Sequence, residues 1–127
     1  MFNAQPEALY GNHNILALQA VKIAMTEGDS WLKKILAILK ENRLFLEKYV
    51  SENWINVDYL PGEGTYLAWL DCRKIQSCSQ LSSKLLTQSR VAVTDGSDFG
   101  DEGNGFIRLN FACNQDELIH LIRRMDK

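Results

Sequence analysis

Residues 91–112, VAVTDGSDFGDEGNGFIRLNFA, constrain the fold more than any other stretch, because they set one arginine inside an apolar strand directly after a glycine-rich loop. In FIRLNF the side chains alternate, so Ile107, Leu109 and Phe111 point to one side and Phe106, Arg108 and Asn110 to the other. Such a strand belongs in a sheet with one packed face and one face that carries the cation. The guanidinium of Arg108 presents a planar fork of donors matched to a carboxylate, and Asn110 on the same face adds a neutral donor. Two partners stay open for Arg108: the carboxylate of a ligand, or an internal salt bridge to Asp95, Asp98, Asp101 or Glu102. The loop holds glycines 96, 100, 103 and 105, four of the chain's eight. Glycine permits positive φ and close backbone approach, which suits a hairpin crossover or a ligand cradle. Neither a GxGxxG fingerprint nor a P-loop is present.

At 127 residues the chain is long enough for one core and too short for two comfortable domains. A net charge of -2, from 14 basic and 16 acidic residues, gives no broad basic field, so nucleic acid and anionic membrane are not expected partners. No run approaches the ~20 apolar residues that span a bilayer, and the N-terminus lacks a signal-peptide pattern. The expected compartment is the cytoplasm. Cys72, Cys78 and Cys113 are odd in number and lack the close pairing of a zinc site, so buried reduced thiols are expected and no metal centre. His13 and His120 are too far apart in sequence to suggest a metal pair or a triad.

Residues 1–14, with Pro6, Gly11 and three Asn, read as an irregular lead-in. The spacing of Ile15, Leu18, Val21 and Met25 predicts a helix over 15–27 ended by Gly28, after which Asp29 or Ser30 can cap a second. That second helix is expected over about 31–50, with Ile35, Leu39, Leu46 and Tyr49 inward and Lys33, Lys34, Lys40, Glu41, Arg43, Glu47 and Lys48 solvated. Ile55, Val57 and Tyr59 then alternate as a strand. Pro61-Gly62-Glu63-Gly64 turns the chain, and TYLAWLDC, apolar on both faces, reads as a central strand. A short helix over 78–89, a strand VAVT, the glycine loop and strand FIRLNF follow. Asn114 with Glu117 marks the start of a last helix through Leu118, Leu121, Ile122 and Met125. The expectation is a two-layer α+β domain over 15–127, with about four strands in a mixed or mostly antiparallel sheet and helices packed on it. The first helix is apolar almost all round, more than a free-standing surface helix needs.

The words GTYLAWLDCR and DGSDFGDEGNGFIRLNFAC, and more loosely GNHNILALQAVKIAMTEGDSWLKKILAILKENRLFLEKY, are similar to the C-terminal domain of fold-type I pyridoxal-phosphate enzymes. The family is aminotransferase class I/II, in its carbon-sulfur lyase branch resembling cystathionine β-lyase. By that resemblance Arg108 is the arginine that pairs with the α-carboxylate of an amino-acid substrate, and Gly96, Ser97 and Phe99 are its neighbours on the substrate side, where the strand alternation already sets Asn110. It also implies pyridoxal 5'-phosphate as cofactor of the full-length enzyme and a homodimeric parent. The Schiff-base lysine and most phosphate-binding groups are expected in a large domain upstream of residues 1–14. None of the lysines here suits that role, since such a lysine must be desolvated or set beside another cation. The fragment alone is therefore expected to bind no cofactor and to be inactive.

Two other classes fit the same residues. One is a free-standing module that binds an amino acid through Arg108 without chemistry. The other is a structural or interaction domain whose partner surface is the apolar first helix.

Overall fold

The computed structural model describes residues 14–76 and 78–126. The irregular lead-in expected over 1–14 lies, apart from Asn14, outside the described residues. The chain divides between Ile35 and Leu36 into two compact units.

The first unit holds α1 (Ile15–Glu27) and the opening turns of α2 (Asp29–Asn53). Asn14 caps α1, its side-chain oxygen accepting the Leu16 N–H at 2.8 Å. Gly28 follows the helix as expected, without a left-handed turn. It stays in the right-handed region (φ -77°), donates its N–H to the Ala24 carbonyl, and lets α2 begin one residue later. Glycine is still required, because a Cβ would fall 2.3 Å from that carbonyl oxygen. No side chain of α1 is buried.

The second unit is a four-stranded antiparallel sheet in the order β1-β2-β4-β3, formed by β1 (Asp58–Tyr59), β2 (Leu67–Asp71), β3 (Thr94–Asp95) and β4 (Phe106–Asn110). The apolar strand TYLAWLDC is central, as its composition predicts. One face carries Ala68, Leu70, Ile107 and Leu109 into a core completed by Cys72, Phe111, Leu46 and Val50 of α2, Leu85, and Leu118 and Ile122 of α4 (Gln115–Met125). Each large apolar side chain buried there contributes about 1.5–3 kcal/mol. Asn114 caps α4 as read from sequence, its Oδ1 accepting the Glu117 N–H at 2.8 Å.

Several elements are shorter than expected. The strand foreseen over 55–59 shrinks to β1 because the Val57 N–H closes a turn onto Trp54 O, while the Trp54 indole N–H donates to Asp126 at 2.6 Å. VAVT reduces to β3. The helix over 78–89 becomes a 3-10 turn at Cys78–Gln80, one α turn, α3 (Leu81–Lys84), and a π turn at Leu85–Ser89 closed by Arg90 at φ 54°. Arg43 is not simply solvated. Its Nη1 donates to the carbonyls of Gly62 and Glu63 at 3.1 Å each, tying the Pro-Gly turn to α2.

Candidate functional site

The second face of the sheet carries Phe106, Arg108 and Asn110 of β4 beside Leu67, Trp69 and Asp71 of β2. The strand period that drives Ile107 and Leu109 inward is what holds Arg108 on this face. Across the register Arg108 lies opposite Trp69 on one side and Thr94 on the other. Its Nη2 donates to the Thr94 hydroxyl at 3.2 Å, and its guanidinium carbon lies over the Phe99 ring, 4.6 Å from the centroid.

Among the described residues Arg108 enters no ion pair. The pairs are Lys48–Glu52, Arg73–Asp71 and Lys74–Asp58. Asp95, one of the carboxylates offered for a salt bridge, pairs with Ile107 in the register, one position from Arg108's partner Thr94, and successive strand side chains leave on opposite faces. It accepts instead from Ser82 Oγ at 2.7 Å, Ser97 Oγ at 2.7 Å and Ser97 N at 3.1 Å. The Ser97 hydroxyl, followed by that of Ser82, holds the Asp95 carboxyl below its ordinary value. Arg73 shows the contrast: Asp71 grips it at two points, 2.9 and 2.6 Å. Two guanidiniums thus lie at this face, one neutralised by Asp71 and one without an ion pair among the described residues.

The remaining candidates are distributed unevenly around Arg108. Phe99 touches it and is 54% exposed. Ser97 is exposed, with its N–H and hydroxyl both committed to Asp95. Gly96 is buried in the loop closure against Gly103. Asn110 is exposed and turns its Oδ1 onto the Ala112 N–H at 2.8 Å, its amide donors having no partner among the described residues.

Sequence reasoning missed Trp69 and Asn42. Trp69 stacks on Phe106 (5.5 Å between centroids, 18° between planes) and meets Phe99 edge-on (5.6 Å, 76°). Asn42 is fully buried and donates through Nδ2 to the carbonyls of Phe111 (3.0 Å) and Cys113 (2.8 Å), fixing the exit of β4. Its spacing from Leu39 and Leu46 on the inward stripe was the available signal.

Of the three cysteines, all free, Cys72 is buried and burial pushes its thiol up to about 12, with the Asp71 charge adding to the effect. Such a thiol is a core side chain and not a nucleophile at neutral pH. No helix among the described residues is long and apolar enough to cross a membrane.

The family model for aminotransferase class I and II matches residues 7–125. A Mycobacterium leprae protein named "Putative cystathionine beta-lyase" is 37% identical over 125 residues, covering 88% of this chain and 31% of that protein. The cystathionine beta-lyase of Corynebacterium glutamicum is 35% identical over 115 residues, 88% of this chain and 30% of its own length. The crystal structure of a "putative plp-dependent beta-cystathionase" from Corynebacterium diphtheriae matches with a TM-score of 0.88 at 31% identity, over 98% of this chain and 33% of that one. The chain thus spans about a third of the length of these relatives.

Proposed function

This chain belongs to the aminotransferase class I and II family, and from that premise we propose that it is the small C-terminal domain of a pyridoxal-phosphate-dependent carbon-sulfur lyase or aminotransferase. In it, Arg108 holds the α-carboxylate of the amino-acid substrate. The observation that carries the reading is a half-buried guanidinium, braced by Thr94 and Phe99, that enters no ion pair among the described residues. A cation so placed gains most from an incoming carboxylate, because charge-assisted and two-point contacts are the strong ones. Asn110, its amide donors without a partner among the described residues, stands two residues along the same face for a further polar contact.

The residues present do not fit the cofactor itself. Every described lysine is exposed, whereas a lysine that joins pyridoxal phosphate has to be desolvated or paired with a second cation. Where that cofactor is bound it supplies the electron sink of the reaction. The part of this chain is to orient the substrate by its carboxylate, so that the bond to be broken is presented in one geometry.

The names of the relatives favour the lyase branch. The reading extends to a homodimeric parent in the cytoplasm, a compartment in keeping with three free thiols.

The test is Arg108→Lys in the enzyme that carries this domain, with cystathionine as substrate and pyruvate as the product measured. Lysine keeps the charge and loses the fork. KM should rise, with kcat/KM falling by about one to two powers of ten, the worth of a charge-assisted bond at about 1.5–3 kcal/mol. Cofactor binding should persist. Unchanged efficiency with a lowered Tm would make Arg108 a structural residue.

A further inference from the structure

We propose that Phe99 is a positioning residue for Arg108: its ring holds the guanidinium by one face, and Trp69 keeps that ring in place. The inference rests on the reading of Arg108 as the carboxylate anchor. A long arginine side chain has many rotamers to lose on binding, so an effective anchor must be held before the ligand arrives. The single hydrogen bond to Thr94, at 3.2 Å, is a modest restraint. The usual stronger restraint is a carboxylate, as Asp71 provides for Arg73, but it consumes the in-plane donors that a substrate needs.

An aromatic face restrains the cation without that cost. It attracts the guanidinium from above, and the N–H groups stay available around its edge. At 4.6 Å the Arg108 guanidinium carbon lies well inside the ~6 Å range over which this attraction acts. The ring is itself constrained. Trp69 meets it edge-on and is stacked in turn on Phe106, over which Arg73 lies at 4.8 Å. Along the backbone, the 3-10 turn Gly96–Phe99 is pinned by the Asp95 carboxylate through Ser97 and Ser82. The arrangement is an aromatic row with a guanidinium at each end, and among the described residues the Arg108 end has no counter-charge while the Arg73 end has Asp71.

The test uses Phe99→Leu, which keeps an apolar side chain and removes the ring, and Phe99→Tyr, which keeps the ring. Phe99 is 54% exposed, so both variants should fold. In the 127-residue chain the Arg108 Nε–Hε signal, assigned by its loss in Arg108→Lys, should move downfield in Phe99→Leu as ring shielding disappears, and stay in place in Phe99→Tyr. In the enzyme that carries this domain, Phe99→Leu should raise KM about two- to five-fold at constant kcat, the worth of an exposed cation–π contact, and Phe99→Tyr should restore it. An unmoved Arg108 signal in Phe99→Leu overturns the contact. A KM raised by Arg108→Lys but not by Phe99→Leu overturns the positioning role alone. A KM unmoved by Arg108→Lys overturns the anchor reading, and the catalytic consequence of Phe99 falls with it.

Discussion

Gly96 and Gly103 meet backbone to backbone: a Cβ on Gly103 would fall 1.9 Å from the Gly96 carbonyl oxygen, and one on Gly96 would fall 2.2 Å from that of Gly103. The loop before β4 therefore closes only while both positions lack side chains. Gly103→Ala should force the two segments apart and cost about 1–3 kcal/mol. Gly64→Ala, where a Cβ meets nothing within 4 Å, should stay within about 0.5 kcal/mol of the parent chain. Denaturant midpoints of the two variants check the difference; equal midpoints would mean that the closure carries no weight.

Asn42 sets a second, opposing balance. Asn42→Leu removes the donor to Phe111 and Cys113, and it also removes Oδ1, a buried oxygen with no partner among the described residues. The Phe111 carbonyl keeps the Cys113 N–H, so the Cys113 carbonyl bears most of the loss. One unpaired acceptor at the strand exit should outweigh the relief, and the variant should lose about 1–3 kcal/mol by thermal or chemical unfolding. A variant as stable as the parent would show that the orphaned oxygen was the greater burden.

Acid should loosen the Phe99 turn. The Asp95 carboxyl titrates below the 3.8 of a free aspartate, so its contribution is fully present above that value and is lost as pH falls through the lower folded value. The Ser97 amide resonance, which reports the bond to Asp95, should therefore titrate with a midpoint under 3.8. Asp95→Asn should abolish that titration. A midpoint at or above 3.8 would contradict the serine contacts.

The first helix, α1, should exchange its amide protons faster than β2, because none of its side chains is buried while β2 contributes Ala68 and Leu70 to the core. Hydrogen exchange on the 127-residue chain, at a concentration where sedimentation shows a monomer, tests this. Equal protection in the two elements would count against it.

The parts legible from sequence were those set by local periodicity. The alternation in FIRLNF fixed which side chains of β4 are core, and Asn114 marked the start of α4 to the residue. Asp95 was wrongly open as an ion-pair partner, although its own alternation with Thr94 turns it from Arg108. The contraction of the strand over 55–59 was not legible, since the Trp54–Val57 turn depends on Asp126 holding the indole from 72 residues away. The contact between Phe99 and Arg108 was hidden for a related reason. It depends on how a glycine loop closes, and glycine admits too many backbone conformations for composition to select one. Arg43 misled because a charged side chain on a helix reads as solvated until the turn whose carbonyls it meets is in place.

The alternation of β4 makes binding and folding share one reading frame. A single residue inserted after Gly105, or removed from the loop before Phe106, would, with β4 shifted one place along β2, bring Leu109 or Ile107 to the open face and send the Arg108 cation into the core among Leu46, Leu118 and Ile122. Substitution can alter the anchor and spare the fold, or alter the core and spare the anchor. A frame slip strikes both at once, so the length of the glycine loop is under tighter constraint than the composition of its exposed positions.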